Sequence, residues 1–149
     1  MLQLARLLQL ASPALPVGAY TYSQGLEWAV ESGVIRDEAS AGRWITDLLA
    51  HGSGRDEAPL VGALIAAWMA GNTQEIARLN AEFLASRESA ELRAETAQMG
   101  FSLARLVRDL RDPGLAGVES TLAGMPEIGF PTGWAGIAAV WGIEPEAAL

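Results

Sequence analysis

Apolar residues recur every three to four positions along most of the chain, and the recurrence stops wherever glycine and proline gather. Leu4, Leu7, Leu8 and Ala11 fall at helical spacing and predict a first helix over residues 2–10. A second, over about 24–32, places Leu26, Ala29 and Val30 on one side and stops at Gly33. Asp37 can cap a third that runs to about His51, with Ala41, Trp44, Ile45, Leu48 and Leu49 as its inward stripe. Gly52-Ser53-Gly54 is expected to break it, which leaves His51 in a last turn, against the negative end of the helix dipole. A fourth helix starts near Ala58-Pro59, where proline does no harm, and carries Leu60, Val61, Leu64, Ile65, Trp68 and Met69. Gly71-Asn72 ends it, and Thr73 is placed to cap a fifth with Ile76, Leu79, Phe83 and Leu84 inward.

The sixth helix is the longest, over about 86–111, with Leu92, Thr96, Met99, Leu103, Leu106, Val107 and Leu110 at nearly heptad spacing. Pro113-Gly114 stops it. A short helical turn follows over 115–123, then a loop holding Pro126, Gly129 and Pro131. A seventh helix over 132–141 has Trp134, Ile137, Ala138 and Trp141 on one face. No stretch alternates with period two, so the pattern predicts an all-α bundle of about seven helices in a single domain, residues 1–149. Three wide stripes, on 60–69, 92–110 and 134–141, each require a facing helix. Glu144-Pro145-Glu146 reads as the start of one more. The expectation is therefore a bundle cut short at its C-terminal end, with apolar surface left uncovered.

Two stretches do not fit a plain bundle. In residues 10–27, Pro13 and Pro16 forbid a helix and Gly18 permits a sharp turn. Thr21 with Gln24 forms a possible capping box for the next helix, and Ser23 is the competing cap. Leu15, Val17, Tyr20 and Tyr22 make this loop too apolar for an idle connector. In residues 86–100, Arg87, Glu88, Glu91, Arg93 and Glu95 form a charged shell around Leu92 and Thr96. Arg87 and Glu91 are four apart and can pair on the outer face. Gly100 sits in mid-helix, where glycine costs roughly 1 kcal/mol against alanine, so it predicts close approach by another segment. Gly25 is read the same way.

Composition removes several function classes. The net charge is −8 and the sequence pI about 4.6, which opposes binding to nucleic acid or an anionic membrane and suits a basic protein partner. There is no cysteine and His51 is the only histidine, so a soft-metal site within one chain lacks ligands. No phosphate-binding loop, dinucleotide fingerprint or nucleophile elbow occurs. The acid pairs, such as Asp56-Glu57, are ordinary for an acidic helical surface. The expectation is no enzyme, no catalytic residue, no metal ligand and no cofactor, in a cytoplasmic protein.

The run SPALPVGAYTYSQGLEWAVESG and the later SRESAELRAETAQMG both resemble the urease accessory protein UreF family, and FPTGWAGIAAVWGI extends the likeness. That resemblance implies a helical scaffold that assembles with UreD (also called UreH), with the GTPase UreG and with apo-urease, and that forms a homodimer. Nickel would be handled by the partner proteins. By motif, the resemblance implies partner-binding or fold-critical roles for Tyr20, Tyr22, Ser23, Gln24, Gly25 and Glu27, and for Arg87, Glu88, Glu91, Arg93 and Gly100. It also implies further helices beyond the last one read here. The alternative is a small helical ligand-binding or protein-interaction module unrelated to urease, with tryptophans lining an apolar pocket.

Overall fold

A computed structural model describes residues 1–19 and 25–148, apart from the side chains of Ser53 and Asp56. Its described residues form helices joined by short turns, with no strand among them. The expected Thr21–Gln24 capping box, and the competing cap Ser23, lie outside the described residues.

Helix α1 (Leu2–Leu10) docks on the core through buried Leu10 and half-buried Leu7, and through polar contacts with the end of the last long helix. Arg6 lies 5.5 Å over the Trp141 ring and donates to its carbonyl, while Gln3 donates to the Gly142 carbonyl. The loop after it turns at Gly18, whose φ is +77°. Helix α2 (Leu26–Glu31) buries only Ala29, and closes at Gly33 in the left-handed region (φ +74°). Helix α3 (Glu38–Leu48) starts at the expected cap: the Asp37 carboxylate accepts from Ser40 N at 2.8 Å, and the Ser40 hydroxyl accepts from Asp37 N.

Two expectations about this region are corrected. The Gly-Ser-Gly stretch does not break the helix. It widens it into a π-helical segment over Leu49–Glu57, which leads directly into α4 (Ala58–Met69). Gly54 explains the tolerance: a Cβ there would lie 2.5 Å from the Leu49 carbonyl oxygen five residues back. His51 therefore stands exposed within a continuing helix, not at a helix end. The stripe of α3 is also not inward, since α3 has no buried residue.

Helix α5 (Thr73–Ala85) is capped by Asn72, one residue before the expected Thr73, because the Asn72 side chain accepts from Glu75 N. Helix α6 (Ala90–Leu110) is capped by Ser89 and ends at Arg111, in the left-handed region at φ +51°. A 3-10 turn over Pro113–Leu115 feeds α7 (Ala116–Ala123). Helix α8 (Phe130–Val140) has Pro131 in its first turn, and α9 (Pro145–Ala148) follows the helix-start signal read in the sequence.

The core has two parts. One gathers Leu103, Val107, Leu115, Val118, Leu122 and Ile137 between α6, α7 and α8. The other joins Leu64, Ile65, Ile76, Leu79 and Ala135 between α4, α5 and α8. Trp68 packs against both. The three wide stripes thus face one another over much of their width, with α8 lying between α4 and α6, while Met69, Leu92, Leu110 and Val140 on these helices stay exposed. The uncovered apolar side chains sit mainly elsewhere, on α1, α2 and α3.

Candidate functional site

A buried polar constellation lies where residues 127–132 cross between α5 and α6. Its centre is Asn80, on the inward face of α5 beside Ile76, Leu79 and Phe83. A buried amide must find partners for both its oxygen and its nitrogen. The Asn80 Oδ1 accepts from Gly129 N at 2.9 Å and from the Thr132 hydroxyl at 2.8 Å, and its Nδ2 donates to the Glu127 carbonyl at 2.9 Å. From the other side, the Thr96 hydroxyl on α6 accepts from Phe130 N at 3.0 Å. The Trp68 indole of α4 donates to the Thr132 carbonyl at 2.9 Å. Three helices therefore hold one segment by its backbone.

Gly100 makes this crossing possible. A Cβ on it would overlap the Ile128 carbonyl oxygen and lie 2.8 Å from the carbonyl carbon, so α6 meets bare backbone there. This is the close approach expected from a mid-helix glycine. Gly129 and Gly136 play matching parts, since a Cβ on either would come within 3.0 Å of the Phe83 and Trp68 rings respectively. Gly25 is different. The nearest atom to its would-be Cβ is Trp44 at 3.9 Å, an ordinary contact, and what the position demands is φ +85°.

The charged block of residues 87–95 surrounds this crossing. Arg87 does not pair with Glu91, because it precedes the helix and the i,i+4 geometry does not arise. Its guanidinium lies 4.1 Å over the Phe83 ring and bonds to Glu57 at 2.7 Å, which ties the end of the π segment to the α5–α6 corner. Glu91 sits in the first turn of α6, where hydrogen bonds from its own backbone N–H and then from the Ser89 hydroxyl hold its carboxyl below the usual range. Arg93 reaches Glu127 at 2.5 Å, and this bond lowers the Glu127 carboxyl and raises the Arg93 guanidinium. Glu88 and Glu27 are exposed. Tyr20, Tyr22, Ser23 and Gln24 lie outside the described residues. Among the described residues no three histidine or carboxylate side chains gather as metal ligands.

The sequence reasoning missed Asn80, Thr132, Glu57 and Glu127. A signal existed only for Asn80, a polar residue at an inward position of a clear apolar stripe. A hollow of about 460 Å³ between α1, α6 and α8 has Trp141 as its one tryptophan, unlike the tryptophan-lined pocket of the alternative reading.

The family model for UreF matches residues 35–149, which include the whole crossing and every helix that holds it. The chain belongs to the UreF family. It is 74% identical over 148 residues to the urease accessory protein UreF of Dechloromonas aromatica (strain RCB), covering 99% of this chain and 65% of that protein. The UreF protein of Azoarcus sp. (strain BH72) is 59% identical over 150 residues, covering 100% and 64%. That of Methylobacillus flagellatus is 47% identical over 147 residues, covering 98% and 64%. The chain thus spans about 65% of the length of these relatives. No helix among the described residues is long and apolar enough to cross a membrane.

Proposed function

We propose that the chain is a non-catalytic scaffold in the maturation of the urease nickel centre. It assembles in the cytoplasm with UreD (UreH), the GTPase UreG and apo-urease, as a homodimer, and leaves nickel handling to those partners. The observation that carries this reading is the 74% identity, over nearly the entire chain, to a protein named urease accessory protein UreF. The geometry is in keeping with it. The polar groups that converge at the 127–132 crossing are spent on hydrogen bonds to its backbone and to the Thr132 hydroxyl, an arrangement that suits a rigid framework.

The test is reconstitution in cells that carry a urease gene cluster lacking its own UreF. The expected outcome is nickel-dependent urease activity on expression of this chain, together with co-purification of UreD and UreG. Soluble chain that leaves urease inactive, in a host where the Dechloromonas aromatica relative restores it, would refute the reading.

A further inference from the structure

Helix α3 carries a complete amphipathic stripe, yet not one of its residues is buried. Around it Trp28, Val30, Val34, Ile45, Leu48 and Leu49 are all exposed, with Trp28 at 63% and Leu49 at 58%. Ile45, Leu48 and Leu49 stand at i, i+3 and i+4, on one stripe of α3 and the segment that continues it. Gly25, at the head of α2, faces the Trp44 ring of α3, and Ile35 N donates to the Ala29 carbonyl, so the two helices are joined by a tight turn. Scattered apolar side chains on a surface need no explanation, but a run of them on two adjoining helices marks an interaction face.

The charges around this face select its occupant. Between residues 26 and 49 stand the exposed carboxylates Glu27, Glu31, Asp37, Glu38 and Asp47, against the guanidiniums of Arg36 and Arg43 alone. An apolar face framed by carboxylates repels nucleic acid and an anionic membrane. It also opposes a second copy of the chain on this same face, because a two-fold contact here would set these carboxylates against themselves. What it complements is a helix with apolar side chains on one stripe and lysine or arginine on the flanks.

We propose that the α2–α3 face docks a basic amphipathic helix from another protein. The inference rests on the face and its charges, and stands apart from the urease reading.

The probe is a fluorescent peptide of roughly four helical turns, built only of leucine and lysine in amphipathic order, with a leucine–glutamate peptide of the same pattern as its counterpart. Anisotropy titration of the 149-residue chain is expected to show micromolar binding of the lysine peptide, and at least about tenfold weaker binding of the glutamate peptide. Ile45→Asp with Leu48→Asp should weaken the lysine peptide by about tenfold or more, with helicity by circular dichroism unchanged. Should that variant fail to fold, Glu27→Gln with Glu31→Gln and Glu38→Gln tests the same face, and is expected to weaken binding and flatten its salt dependence. Phe101→Asp, exposed on α6, should bind like the parent. Equal binding of the two peptides, or unchanged binding in the α2–α3 variants, overturns the proposal. So does a dimer of the free chain that Ile45→Asp with Leu48→Asp dissolves. Failure of the longer Dechloromonas aromatica protein to bind the lysine peptide would also overturn it, by assigning the face to that protein's additional length.

Discussion

Gly100 and Asn80 solve one problem from opposite sides. Residues 127–130 cross with Gly129 buried and the others half-buried, and Asn80 and Thr96 supply partners for their amide groups where no helix or sheet ladder can. Gly100 supplies the room, because α6 meets the carbonyl of Ile128 where any side chain would stand. Helix propensity alone favours alanine over glycine at a mid-helix position by about 1 kcal/mol. Overpacking against backbone, which cannot rotate away, costs about 3 kcal/mol, the upper part of the usual range. Gly100→Ala is therefore expected to lower stability by a net of about 2 kcal/mol, measured by urea denaturation. A variant that melts at or above the parent temperature would show that the crossing relaxes freely.

At the scale of elements, α3 depends on its ends rather than on burial, since nothing along it is buried. Hydrogen bonds from the Ser40 backbone N–H, then from its hydroxyl, hold the Asp37 carboxyl below the usual carboxylate range. A carboxyl lowered on folding contributes stability that is present above its unfolded pKa and lost as pH falls through the folded one. The amide of Ser40 should accordingly lose hydrogen-exchange protection as pH drops below about 4, after correction for intrinsic exchange. Asp37→Asn keeps a capping oxygen without the titration, so its protection should stay flat over the same range. The π segment that follows leads α3 straight on into α4, and the Arg87–Glu57 pair fastens its far end to the α5–α6 corner.

For the molecule as a whole, Trp68 is the joint between the two parts of the core. Its ring packs against both, its indole nitrogen bonds to the Thr132 carbonyl, and the ring lies where a Cβ on Gly136 would stand. Gly136→Ala is expected to push the indole off that hydrogen bond and cost about 1–3 kcal/mol. Because the residue couples two clusters, the unfolding transition should also broaden, with a calorimetric enthalpy exceeding the van't Hoff value. A sharp transition in which the two enthalpies agree would mean that α8 alone couples the clusters.

The order and type of the helices were legible because period and punctuation are local properties. The Asp37 cap, the stops at Gly33 and Pro113-Gly114, and the stripes of α4, α6 and α8 all depend on residues within a few turns of one another. The two motif blocks were legible too, and the UreF family model matches the chain from residue 35 onward. Mid-helix Gly100 announced a close approach, but not which segment approaches. Pairings between distant residues were out of reach: Arg87 turns to Glu57 instead of Glu91, and Arg93 reaches Glu127. Which stripes are covered was only partly legible: α4 is apolar nearly all round and reads as central, whereas α3 has one narrower stripe that the sequence expected to face inward and that the fold leaves without a buried residue. Sequence by itself determined where most of the chain is helical and where most helices stop, since backbone propensity and capping act over a few residues, and its two motif blocks carried the family. Only the tertiary structure decided that α8 lies between α4 and α6 and leaves α3 bare, since burial is set by which surfaces meet and not by the pattern on either one.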